Sequence, residues 1–428
     1  MNFKRGFLFF QTIGFLFSVS VVQAEFSLPN HMESHFRPQI PWDQFAVDPR
    51  LRSNVEFWVR IYTRYTSREG LLHDAKYVDH VYEVIDLDQH AGDGESYLKK
   101  AKAKWKDLLL SVHRKGKNIE SLTPDERRVY DLFEDVNEPN KFLNAASRKR
   151  MRFQQGQKEH FIEGYRQSGR YIPLMEEIFR KAGLPVELTR LPFVESSFNI
   201  HARSKVGASG IWQFMRSTGR LYLKVNEAVD ERNDPIRAAE AAATLLKTNY
   251  DSLGKWPLAV TAYNHGRKGM MRAVRVVGSE ELEDVVDSYR GATFGFASSN
   301  FFTELLAAVE AEKNAEKYFG KVDRFKPFSF YEVRIPDYIN IAELARFMKF
   351  DIEAIRELNP GLSEAVFSQR LLVPAGYILR LPYPDASSPS REGMTKAFMA
   401  GYAEIPSVYK LPTQAFQKYA KRGRKVSW

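Results

Sequence analysis

Not one of the 428 residues is cysteine, although the chain opens like an exported one. An exported chain without thiols forms no disulfides and carries no lipidated cysteine. Its fold has to rest on core burial alone, and thiol catalysis and thiolate metal sites are excluded. The leader is "MNFKRGFLFFQTIGFLFSVSVVQAEF", in which Lys4 and Arg5 precede an apolar run from Gly6 to Val22. Val22 and Ala24 suit the small-residue positions of a signal-peptidase cut after Ala24. The run is slightly shorter than the ~20 residues of a membrane span. The expectation is a signal peptide over 1–24 and a mature chain in a bacterial periplasm. Left uncleaved, the same segment would hold the chain to the membrane by its N-terminus.

Length allows two or three domains with real cores. Residues 25–147 read as a helical N-terminal region: "NVEFWVRIYTRY" and "YLKKAKAKWKDLLLSV" carry apolar residues at helical spacing, the second with lysines opposite. Thr123-Pro124-Asp125-Glu126 has the pattern of a capping box. Residues 148–320 are denser and read as all-α. "YIPLMEEIFRKAGLP" is amphipathic and stops at Gly183 and Pro185; "DPIRAAEAAATLLKTNYDSLG" is alanine-rich, which permits close helix packing. "WPLAVTAYNHG" and "FFTELLAAVEAEK" complete the set. Residues 328–382 switch to a strand-like run, two helical patterns and a final apolar strand, a small β-α-α-β module. Residues 383–428 read as a linker and basic tail. The fold class is therefore mainly α.

Chemistry concentrates in "LPFVESSFNIHARSKVGASGIWQF", residues 191–214. Glu195 stands among Phe193, Val194, Phe198, Trp212 and Phe214. Desolvation there would raise its pKa toward working pH, which is what a general acid that later acts as a base requires. On spacing alone, such a glutamate is more often a salt-bridged core or cap residue. Asp234 before Pro235 reads as a helix N-cap rather than a second acid. No second carboxylate stands out. Nine histidines form no H-E-x-x-H pattern, and neither a phosphate loop nor a nucleic-acid module is present. No metal, cofactor or nucleic-acid partner is expected. The net charge of +10, from 63 basic and 53 acidic residues, favours polyanionic surroundings without choosing among them.

The motifs "ESSFN…ARSKVGASGIWQFM", "VDERNDP…AAEAAATLL" and "WPLAVTAYNHG" occur in an order and spacing that resemble the catalytic domain of lytic murein transglycosylases, glycoside hydrolase family 23, in the membrane-bound type D branch. The likeness runs from about Arg148 to Ala308. It implies a lysozyme-like α domain that cleaves the β-1,4 bond between N-acetylmuramic acid and N-acetylglucosamine in peptidoglycan strands. Glu195 matches the family's catalytic glutamate. Ser204, Gly210, Gln213 and Met215 fall where groove residues follow it, and Tyr263 and Asn264 match the Tyr-Asn pair of the "AYNxG" loop. Ile200, Arg216 and His265 depart from the residues usual at their positions. The module at 328–382 resembles a degenerate LysM repeat, with Pro336-Asp337-Tyr338 in place of Gly-Asp-Thr. With one carboxyl in place of the usual glycosidase pair, the sugar's own C6 hydroxyl would attack and leave a 1,6-anhydro end. The rivals are a hydrolytic muramidase on the same fold and a non-catalytic wall-binding scaffold.

Overall fold

The computed structural model describes residues 45, 48–90, 93–116, 118–383 and 389–412. The signal peptide and the basic tail "KYAKRGRKVSW" lie outside them. Among the described residues no helix is long and apolar enough to cross a membrane. The mainly α class holds. The organising element is helix Phe296–Lys313, which is buried on nearly every face from Asn300 to Ala311 and is therefore central. Helices Arg52–Thr63, Leu191–Ser196 and Trp256–His265 pack around it. Asn54 and Trp58, on the first of these, both donate hydrogen bonds to Asn300 Oδ1, at 3.0 and 3.1 Å.

Local signals set the other helices. Ile172–Lys181 buries Met175 and Phe179 and ends before Gly183, whose φ of +69° suits glycine. Asp234 Oδ1 accepts from Ile236 N and Arg237 N at 3.0 and 3.1 Å, capping helix Pro235–Leu253. Ala238, Ala239, Ala241, Ala242 and Ala243 are buried, so this helix lies close against Ile172–Lys181 and Trp256–His265. Thr123 and Glu126 exchange both bonds of the capping box. Gly94–Lys115 buries Trp105, Leu109 and Val112 in a separate core with Val129 and Phe133 and turns its lysines outward.

The sequence reading of an all-helical region up to residue 320 needs correction. Strands Glu69–Asp74, Val81–Asp86 and Met151–Gln155 form an antiparallel sheet with Glu69–Asp74 in the middle, Leu71 opposite both Val84 and Gln154. "EGLLHD" is buried on both faces and so shows no alternation, while "MRFQQ" is too short for its period to register.

Near the C-terminus, Phe330–Arg334 pairs antiparallel with Ile378–Pro382, Tyr331 opposite Leu381, and helices Ile341–Met348 and Ile352–Leu358 lie between them in sequence. Residues 391–411 are not the structureless linker read from the sequence. Helix Arg391–Glu404 inserts Phe398 and Tyr402, one turn apart, into the same core, and Lys410–Leu411 pairs with Tyr338–Ile339. This part is joined to the helical part by backbone bonds, Asp230 N to Gly361 O at 2.8 Å and Ser363 N to Ala228 O at 2.9 Å. A buried ion pair, Arg380 to Asp234 at 2.7 Å, reinforces the seam.

Candidate active site

Glu195 sits on the short helix Leu191–Ser196, which Pro192 starts and buried Leu191 and Phe193 anchor. Phe193 stacks on Phe161 at 4.5 Å, and Phe161 in turn meets Tyr62 at 5.3 Å. Ser197 and Phe198 both have positive φ, 51° and 55°, so the chain reverses immediately after the acid. Two left-handed non-glycine residues in succession cost energy and mark a constrained turn. Ser196 Oγ ties that turn to the following loop through Ile211 O at 3.0 Å.

The Glu195 carboxyl is half-buried and has no hydrogen bond or ion pair among the described residues. Burial alone lifts its pKa to about 8. The nearby arginine of the sequence is accounted for: Arg190 is held by Glu176 and, at 3.3 Å, by Glu312. Glu195 is therefore not the salt-bridged core residue that its spacing also allowed. It retains its proton at neutral pH and is free to donate it.

The loop that follows is braced by its own side chains. Ser204 Oγ accepts from Ala208 N at 2.9 Å, closing a turn. Gln213, itself at φ +47°, donates to Gly210 O at 2.7 Å and Ala202 O at 3.2 Å. Trp212 is core, stacked on Phe179 at 5.8 Å. Arg232 is paired with Asp230 at 2.7 Å and donates to Gly207 O and Phe214 O, at 2.9 and 3.2 Å, from beneath the loop. Gly210 has a φ of +76°, and a Cβ there would lie 1.8 Å from Arg232 O. The close neighbour is the chain itself. Met215, 39% exposed, is available at the surface.

From helix Trp256–His265, Tyr263 donates its hydroxyl to Trp212 O at 2.9 Å and stacks on Phe301 at 6.3 Å and 7°. Burial and then the charge of Glu195 raise its pKa. Tyr263→Phe is expected to cost about 1 kcal/mol, read as a lower urea midpoint, because the Trp212 carbonyl loses its partner. Asn264 is exposed, and its Oδ1 accepts from Ser298 Oγ at 2.9 Å, which leaves its amide donors free.

One carboxyl was missed by the sequence reading. Glu304, on Phe296–Lys313, is half-buried and makes no hydrogen bond or ion pair among the described residues. Its pKa rises to about 8, by burial first and then by the charge of Glu195, with Arg152 opposing. The available signal was a lone acid inside the apolar run "FFTELLAAV". A cleft of about 1160 Å³ lies against the C-terminal part, but its walls contain Ser196 and Ser197 and not Glu195. Chemistry, not volume, marks the site. Among the described residues no group of three or more His, Asp or Glu side chains is placed to hold a metal.

Residues 175–286, which contain this acid and the Tyr263–Asn264 pair, match the family of the Transglycosylase SLT domain. The chain resembles lytic murein transglycosylases. The membrane-bound lytic murein transglycosylase D of Escherichia coli strain K12 is 29% identical over 195 residues, 43% of this chain and 40% of that protein. The protein of the same name in E. coli O6:H1 aligns equally. This chain thus spans about two fifths of the length of the curated relatives it matches. The 70 kDa soluble lytic transglycosylase of E. coli superposes over 51% of this chain and 33% of its own, with 15% identity and a TM-score of 0.25, too low to carry an argument.

Proposed function

We propose that the chain is a periplasmic lytic transglycosylase that cleaves the β-1,4 bond between N-acetylmuramic acid and N-acetylglucosamine in peptidoglycan, with Glu195 as acid and then base. The observation that carries this reading is the unpaired, half-buried Glu195 carboxyl, protonated at neutral pH, within a transglycosylase SLT match. Its proton passes to the bridging oxygen as the bond from C1 of the muramic residue breaks, and the glucosamine leaves with a free hydroxyl. The muramic acetamide stabilises the electron-poor C1. Glu195, now a carboxylate, removes the proton from the C6 hydroxyl while O6 bonds to C1. The acid is restored, no water is consumed, and a 1,6-anhydro end results. An intramolecular hydroxyl has a large proximity advantage over water.

The side chains divide the remaining work. The Tyr263 hydroxyl is engaged by Trp212, so Tyr263 offers the sugar its ring edge, while the free amide of Asn264 suits an acetamide carbonyl. Ser204 and Gln213 fix the loop that carries Met215 to the surface. Export follows from the leader, and the relatives named as membrane-bound fit a site at the cell envelope.

Glu304 gives the hydrolytic reading a specific basis, because a second carboxyl could activate water. Mass spectrometry of purified sacculi after digestion separates the two readings. Anhydro ends on the released fragments are expected; reducing ends in their place would overturn the transglycosylase reading.

A further inference from the structure

We propose that two turns on either side of Met215 in sequence form a docking patch for an anionic phospholipid bilayer. Val206 and Leu221 enter the acyl boundary, and unpaired cations beside them meet the headgroup phosphates. The proposal goes beyond the reading of Glu195 and stands whether or not that reading holds. Val206 and Leu221, each 75% exposed, are the most exposed large apolar side chains among the described residues. Each sits third in a tight turn. Gly207 N donates to Ser204 O at 3.0 Å, which leaves Lys205 and Val206 at one tip. Tyr222 N donates to Gly219 O, also at 3.0 Å, which leaves Arg220 and Leu221 at the other. A cation followed by a branched apolar residue thus crowns both turns.

One buried side chain holds the two turns together. Arg232 Nη1 donates to Gly207 O at 2.9 Å, and a Cβ on Gly219 would lie 2.8 Å from Arg232 Cδ. The closing residue of the first turn and the opening residue of the second therefore rest on the same arginine, which Asp230 neutralises at 2.7 Å. The tips lie close together although 15 positions separate Val206 from Leu221 in sequence. Docking through them holds the loop that follows Glu195 at the bilayer surface.

The charge around the tips has one sign. Between Glu195 and Glu227 the chain contains no Asp or Glu, while Arg203, Lys205, Arg216, Arg220 and Lys224 are all exposed. None of the five side chains makes an ion pair or hydrogen bond among the described residues. Elsewhere on the surface cations find carboxylates, as Arg180 does with Glu176 and Lys247 with Asp251, both at 3.1 Å. Of the acids that follow, Asp230 is taken by Arg232 and Glu231 accepts from Lys224 N at 2.6 Å, which leaves Glu227 alone against five cations. Cations by themselves suit any polyanion, a carboxylate-bearing wall polymer included. The apolar tips decide for a bilayer. A hydrated polymer gives Val206 and Leu221 nothing to be buried in, whereas the boundary between headgroups and acyl chains takes both kinds of side chain. Tyr222, also exposed, joins a ring to a hydroxyl and suits the same boundary.

The test is cosedimentation of the full chain with phosphatidylcholine vesicles, with and without phosphatidylglycerol, and Leu221→Trp serves as a local probe. Phosphatidylglycerol should tighten binding, and added salt should reverse that gain. The probe's emission, taken as the difference from wild type, should shift to the blue and escape an aqueous quencher on the anionic vesicles only. Lys205→Gln with Arg220→Gln should weaken the phosphatidylglycerol-dependent binding about 30-fold. Val206→Ser with Leu221→Ser should weaken it about tenfold. All four side chains are exposed, so each pair should keep the wild-type melting temperature. An unshifted probe on anionic vesicles overturns the proposal, even where the leader holds the chain to lipid. If the charge pair loses binding to purified sacculi while the apolar pair keeps it, and the probe stays unshifted, the patch belongs to the wall polymer and the proposal falls. A concentration-dependent dimer that the apolar pair abolishes, again with an unshifted probe, would make the patch an interface between copies and overturn the proposal equally. None of these readouts involves the ends released from sacculi, so the transglycosylase reading stands or falls separately.

Discussion

Glu195→Gln should reduce glycan cleavage by about 10²- to 10⁴-fold while leaving the fold intact. The amide has the carboxyl's shape but no proton to give and no basic oxygen to take one back, so both halves of the reaction fail together. Since no partner holds the carboxyl, the substitution breaks no bond among the described residues. Stability should shift in an informative direction. In the folded chain Glu195 keeps its proton to about pH 8, whereas the unfolded chain releases it near the ordinary 4.5. The native state therefore binds more protons between those values, and wild-type stability falls as pH rises through that window. The glutamine variant lacks this loss. Its melting temperature should match wild type below about pH 4.5 and exceed it increasingly up to about pH 8. Muropeptide release and thermal melts across pH check both halves. A well-folded variant that still releases muropeptides at the wild-type rate would return the chain to the class of wall-binding scaffolds.

The acid itself was legible because a lone glutamate among aromatic residues is a local pattern, and burial follows from its neighbours. The Asp234 cap and the glycine stop at 183 were legible for the same reason: each depends on residues within one helical turn. Glu304 was not, although its own setting in "FFTELLAAV" is equally apolar. The charge of Glu195, 109 positions away in sequence, reaches it only through packing of the central helix. Gly210 is hidden for the same reason: what requires glycine there, the carbonyl of Arg232, belongs to another segment. The buried strand Glu69–Asp74 lost its alternation because both of its faces are covered. Tail helix Arg391–Glu404 had its period in Phe398 and Tyr402, but its surroundings of small and charged residues hid it.

Arg380→Leu is expected to destabilise the chain by about 3–5 kcal/mol, more than any other side-chain truncation at the seam. Arg380 and Asp234 are each only 3% exposed along their side chains and meet at 2.7 Å. Removing the cation leaves Asp234 charged, buried and missing its strongest partner, and that uncompensated carboxylate dominates the cost. Asp234 Oδ1 remains committed to the first turn of Pro235–Leu253, so the side chain cannot swing out to water without uncapping that helix. The double variant Asp234→Asn, Arg380→Leu should recover a large part of the loss, since asparagine still caps the helix and carries no charge. Glu332, which also contacts Arg380 at 3.2 Å, is 42% exposed and regains water when the arginine goes, so it contributes little. Urea unfolding of the two single variants and the double variant closes the cycle. Equal losses in Arg380→Leu and in the double variant would mean that packing of the arginine stem, not the stranded charge, holds the C-terminal part to the catalytic helices.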